Sequence, residues 1–220
     1  MCWRSNHEYF VKVRAAANKV TGLLIAFEGL DQSGKQTQAE LLRGRLTAKG
    51  RTSRLLSFPD YDTVIGAEIG RALRGERHYG ADVMQLLYVA NRYEYKQPIV
   101  EAMQAGTIVV CDRYLASSVA YGEAQGLDRA WLVEIQKYLP QPDVTILLDI
   151  PPEASARRKS RGRDKYERDL ALLGRVRDSY LRQAASPEPG RRAGGWVRID
   201  ADRDRDAVAA DVFSAIADRV

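Results

Sequence analysis

A chain of 220 residues with 45% hydrophobic and 29% charged side chains has the composition of one soluble globular domain, not of a disordered or fibrous protein. Two cysteines, Cys2 and Cys111, are too few for a disulfide framework and point to a reducing, cytoplasmic setting. The net charge is +5, and no apolar run approaches a membrane span or a signal-peptide core.

The first twenty residues read as an N-terminal extension. They carry Arg4, Lys12, Arg14 and Lys19 against Glu8, with Phe10, Val13, Ala17 and Val20 at helical spacing. The pattern suits a short amphipathic helix packed on the domain; a mis-assigned start, a tag-like extension or a targeting segment are the other readings. Residues 21–220 form the domain proper. Five apolar runs of strand length follow in order: Leu23–Phe27, Arg54–Ser57, Thr107–Cys111, Val144–Ile150 and Trp196–Ile199. Segments able to hold helices separate them, so the class is α/β with buried parallel strands and helices on both faces. Ligands of such sheets sit beyond the carboxyl ends of the strands.

After the first run comes Gly29-Leu30-Asp31-Gln32-Ser33-Gly34-Lys35-Gln36-Thr37, which fits G-x-x-x-x-G-K. Ala39, Leu42 and Leu46 then mark a helix. Glycines let several backbone N–H groups turn toward one phosphate, and the helix N-terminus adds positive potential. Lys35 supplies a point charge. Gln36 stands where Ser or Thr commonly ligates Mg²⁺. The ion would then be held by Asp31, by Asp112, by acids near Glu167 such as Asp164, or mainly by water and phosphate oxygens.

The second run ends in Phe58-Pro59-Asp60-Tyr61, where Pro59 stiffens the turn and Phe58 is either core or pocket wall. Leu86–Arg92 reads as helix, with Tyr88 and Arg92 four apart on one face. A ring beside a guanidinium can stack a base and bond its edge; an ordinary surface pair is the alternative. The third run ends in Asp112-Arg113-Tyr114, a metal-orienting acid beside a phosphate grip, or a plain Asp–Arg pair. Ser117, Ser118 and Tyr121 follow on a helix. Between Arg157 and Arg168 seven basic residues face two acids, a surplus equal to the net charge of the chain. The cluster suits a lid that closes over phosphates.

Taken together, these motifs resemble the thymidylate kinases, a branch of the nucleoside monophosphate kinases. The matching residues are Gly29-Leu30-Asp31-x-x-Gly34-Lys35, Phe58-Pro59, Tyr88-x-x-Asn91-Arg92, Asp112-Arg113-Tyr114 and Asp164-x-Tyr166-Glu167-Arg168, from about Thr21 onward. The resemblance implies a three-layer P-loop NTPase-type fold with a five-stranded parallel sheet and ATP-dependent phosphorylation of dTMP to dTDP. It implies that Asp31, Lys35, Arg113 and Arg161 carry catalysis. ATP would meet Gly29 to Thr37, Arg157 in a lid at about 153–168, and Ala201 beside the adenine. dTMP would meet Asp31, Phe58, Pro59, Tyr61, Tyr88, Arg92, Arg113, Ser117, Ser118 and Tyr121. It further implies Mg²⁺ near Asp31, Asp112, Asp164 and Glu167, and a homodimer.

Gln32 replaces the arginine that some members place in the loop, and Arg157, Arg158, Arg161 and Arg163 fit the type that supplies arginines from the lid. A monophosphate with its second pKa near about 6 needs no strong general base, and His7 and His78 lie outside the motifs. Two rivals are a deoxynucleoside kinase on the same scaffold, with Glu28 as base, and a catalytically silent nucleotide- or nucleic-acid-binding protein. The basic cluster lacks interleaved aromatics, which argues against nucleic acid.

Overall fold

A computed structural model of the chain describes residues 22–158, 169–185 and 195–220. The proposed N-terminal extension and the lid residues Arg161, Arg163, Asp164 and Glu167 lie outside the described residues.

The five apolar runs are strands within a residue or two of their sequence bounds: β1 Leu24–Glu28, β2 Ser53–Ser57, β3 Ile108–Asp112, β4 Val144–Asp149 and β5 Gly195–Asp200. They form one sheet in the order β2-β3-β1-β4-β5, and every pairing is parallel. The inner strands β1 and β4 are buried at every position, whereas β2 and β5 are partly exposed. That gradient follows from position: only an inner parallel strand has both faces and both edges covered.

The helices are α1 Lys35–Ala48, α2 Val64–Leu73, α3 Ala81–Glu94, α4 Lys96–Gln104, α5 Leu115–Ala124, α6 Arg129–Glu134, α7 Pro152–Arg158, α8 Leu170–Ala185 and α9 Arg205–Ser214. Side-chain alternation along β1 divides the core. Leu24 and Ala26 pack with Val89 of α3, Ile99 of α4 and Leu115 of α5. Ile25 and Phe27 join a cluster with Ala39 and Leu42 of α1 and with Val208 and Val212 of α9. Each fully buried Leu, Ile, Val or Phe among these stabilises the fold by roughly 1.5–3 kcal/mol. Among the described residues no helix is long and apolar enough to cross a membrane.

Strand register sets the site. Phe27, Asp112 and Ser57 stand level across β1, β3 and β2. The Arg113 N–H donates to the Phe27 carbonyl and the Phe58 N–H to the Asp112 carbonyl, both at 2.9 Å. The segments that follow three strands are thereby brought to one end of the sheet.

Candidate active site

The loop after β1 is curled. Ser33 N–H donates to the Leu30 carbonyl at 3.2 Å, and Gln38 N–H donates to Gly34 O at 2.9 Å, starting α1. Gly29 and Gly34 have φ of +138° and +93°, and Gln32 sits at +62°. A side chain at position 29 would place its Cβ 2.4 Å from the Leu148 carbonyl of β4. Glycine is required there for both reasons. The Ser33 hydroxyl is buried inside the loop without a partner among the described residues.

Lys35 lies under the loop, with Nζ donating to the Leu30 carbonyl at 2.7 Å. Burial pulls its pKa down to about 8, with Arg113 acting the same way against Asp31, Asp112 and Glu28. Asp31 accepts from Arg113 Nη2 on one oxygen and, at 2.9 Å, from the Tyr121 hydroxyl on the other. Burial works to raise the Asp31 pKa, but Arg113 and Lys35 outweigh it and hold the carboxyl at about 2.

Arg113 has φ of +63°, a backbone state that non-glycine residues rarely hold. Its pair is Asp31, not the adjacent Asp112. Its guanidinium also lies 5.4 Å from the Tyr121 ring centroid.

One cavity is lined by Asp31, Phe58, Pro59, Tyr61, Tyr88, Arg92, Arg113, Ser117, Ser118 and Tyr121, joined by Leu73, Gln85 and Gln125. The first ten are the residues that the family resemblance set beside the acceptor. Arg92 is buried, not a surface partner of Tyr88, and its Nη1 donates to Ser118 Oγ at 2.7 Å. Phe58 is core and cavity wall at once: it stacks edge-on to Tyr95, with ring centroids 5.5 Å apart. Ser117 serves a second purpose, because its hydroxyl donates to Glu28 Oε2 at 2.6 Å.

Two residues named in the sequence have organising roles that their positions alone did not reveal. Glu28 ends β1 fully buried and accepts from the backbone N–H groups of Tyr114, Ala116 and Ser117 and from the hydroxyls of Ser117 and Tyr180. It fixes the start of α5, and with its oxygens so occupied it is not placed to act as a base on a sugar hydroxyl. Asn91 is the second. Its Oδ1 accepts from Asp60 N–H at 2.8 Å, and its Nδ2 donates to the Asp60 carbonyl, Thr63 and Glu94. It ties α3 to the Phe58–Pro59 turn, whose peptide bond is cis.

On the opposite flank, Arg158 Nη1 donates to the Gln32 carbonyl at 3.0 Å and Nη2 to the Ala201 carbonyl at 2.8 Å. Arg157 pairs with Asp202 at 3.4 Å. Helix α7, the glycine loop and the turn after β5 therefore meet. Gln36 points along the exposed face of α1, donating to Glu40 at 3.0 Å, and Thr37 is also exposed.

The thymidylate kinase family model matches residues 27–212. The chain belongs to the thymidylate kinase family. A thymidylate kinase of Schizosaccharomyces pombe is 35% identical over 200 residues, covering 90% of this chain and 91% of that one. A probable thymidylate kinase of Pyrococcus abyssi is 40% identical over 177 residues, covering 74% and 83%. The solved thymidylate kinase of Candida albicans superposes with a TM-score of 0.75 at 29% identity, covering 90% of this chain and 92% of that one. This thymidylate kinase family member is thus a phosphotransferase with the P-loop α/β fold. The reaction of the family is a nucleotide kinase reaction, which in general uses Mg²⁺ with ATP.

Proposed function

We propose that the chain moves the γ-phosphate of ATP onto dTMP, with ATP held by the glycine loop and dTMP held in the cavity beside it. The observation that carries this reading is the continuity of the two places. Asp31 belongs to the loop by sequence and to the cavity by position, and it grips Arg113 there.

In this reading Lys35 and the backbone N–H groups of Gly29 to Thr37 hold the terminal phosphates of ATP. Arg113 holds the acceptor phosphate, and Asp31 orients Arg113 and keeps it charged. Tyr88 stacks the thymine between α3 and the Phe58–Pro59 turn. Arg92 bonds the base edge with Ser118 behind it, Ser117 and Tyr61 border the nucleotide, and Tyr121 stands by the sugar. Arg157 and Ala201 border the adenine side. Arg161 belongs to the lid segment at about 153–168 and brings positive charge over the phosphates. The work is positioning and charge stabilisation, since the acceptor is already anionic.

The residues present suit Mg²⁺ at one point. Asp112 ends β3 beside the loop, and its Oδ1 is buried without a partner among the described residues. Asp31 has both oxygens engaged, so within the described residues Asp112 is the better placed acid; Asp164 and Glu167 would add to it from the lid. The ion would offset charge on the phosphate oxygens.

The 21–220 segment is read as the catalytic domain, acting in the cytoplasm as a homodimer, with no nucleic-acid or membrane partner. Val83 and Leu86, three apart on α3, leave 38% and 47% of their surface exposed, which suits a covered face. Sedimentation would show the dimer or a monomer. The activity is tested by coupled ADP release with ATP and a panel of acceptors. Turnover of dTMP, none of thymidine, and loss of transfer in Lys35→Ala with the fold intact are expected. Full activity in that variant would remove the mechanism.

A further inference from the structure

Gln85 lies on α3 one turn before Tyr88 and two turns before Arg92, so the three share a helix face. It is 1% exposed and lines the same cavity. Neither Nε2 nor Oε1 of its carboxamide has a hydrogen-bond partner among the described residues. Buried polar groups are nearly always paired. The Arg92 Nε, on the same cavity wall, is likewise buried and unpaired. Three unpaired polar atoms on two residues that line one cavity call for a ligand with a complementary polar edge.

We propose that Gln85 is a specificity-determining residue that reads the imide edge of the acceptor's base. This rests on the reading that dTMP occupies this cavity. A carboxamide offers one donor and one acceptor side by side, matching a ring N–H flanked by a carbonyl. Because neither Gln85 atom is engaged, the amide can turn either way. Arg92 is donor-only, with Nη1 held by Ser118, so its Nε requires a carbonyl and fixes which way the base faces. Gln85 Oε1 then accepts from N3–H and Nε2 donates to the neighbouring carbonyl. Thymine and uracil present that edge. Cytosine lacks N3–H and turns an amino group toward Arg92.

The test compares the wild-type chain with Gln85→Met, which keeps the length and removes both polar atoms. KM and kcat are measured with dTMP and with its N3-methyl analogue, alongside the thermal midpoint of the free protein. KM for dTMP should rise about tenfold, as loss of one good hydrogen bond implies. The penalty for the N3-methyl group, large in the wild type, should shrink in the variant, and kcat should change little. The midpoint should hold or rise, because two unpaired buried atoms are gone. Should Gln85→Met fail to fold, Gln85→Asn, which draws the amide back, carries the same comparison. Tyr88→Ala separates this inference from its parent. If Tyr88→Ala raises KM while the Gln85 variant leaves KM and the methyl penalty unchanged, Gln85 has no such role and the cavity assignment survives. If neither variant moves KM, the cavity assignment fails and takes the inference with it.

Discussion

Lys35 joins a chemical role to a measurable pH signature. Its buried ammonium titrates near about 8 instead of the ordinary 10.5. It is therefore charged below that pH and neutral above it in the free enzyme. We expect kcat/KM for ATP to fall as pH rises through about 8, while kcat holds to higher pH because bound phosphates restore the proton. A kcat/KM profile flat across that range would contradict the placement of Lys35 at the phosphates. The same shift has a sign for stability. Between about 8 and 10.5 the unfolded chain binds more protons at this lysine than the folded chain, so its contribution grows with pH. Asp31 differs: with a folded pKa near about 2, below the ordinary 3.8, its stabilisation is complete above 3.8 and is lost as pH falls through 2. Glu28 is the other decisive single residue. Glu28→Gln turns one of its two acceptor oxygens into a donor facing donors. We expect a loss of about 2–3 kcal/mol in denaturant unfolding and a raised KM for dTMP, as the start of α5 loosens.

The elements bring the site together through a few joints. Asn91 clamps α3 to the turn after β2, so both walls of the cavity are joined. Asn91→Ala should lower stability by about 1–3 kcal/mol and raise KM for dTMP with smaller change in kcat; a lower stability with unchanged KM would make Asn91 a packing residue only. Gly29 joins β1 to the loop at a distance from β4 that admits no side chain. Gly29→Ala should abolish ATP binding by calorimetry, and retained binding would mean that the loop tolerates displacement. Much at this scale was legible. The strands stood out as apolar runs, and Tyr88 and Arg92 declared a shared face through their spacing. The same spacing reaches Gln85, three residues before Tyr88, but a glutamine in a helix carries no signal of its own. Glu28 was visible only as an acid closing an apolar strand, and nothing local tells whether such an acid is a base or a buried organiser. Its five donors come from Tyr114, the first turn of α5 and Tyr180 of α8, far along the chain.

At the scale of the molecule, the pattern of strands and helices fixes the class, while the order β2-β3-β1-β4-β5 comes from pairings that no local pattern encodes. That order puts β1, with its glycine loop, at the centre of the sheet. It sets the ends of β3 and β2 on one side and those of β4 and β5 on the other. The cavity beside Asp31 and the contacts of Arg157, Arg158 and Ala201 consequently flank one loop. Ordered motifs in the sequence could indicate the partners of the reaction. The contact between Asp31 and Arg113 across 82 residues could come only from the folded chain. A crystal structure with ADP and dTMP bound together tests the central claim most directly. It should show the β-phosphate of ADP within the Gly29–Lys35 loop and the dTMP phosphate at Arg113, with the thymine against Tyr88. Either nucleotide bound elsewhere, or a dTMP phosphate turned away from the loop, would contradict it.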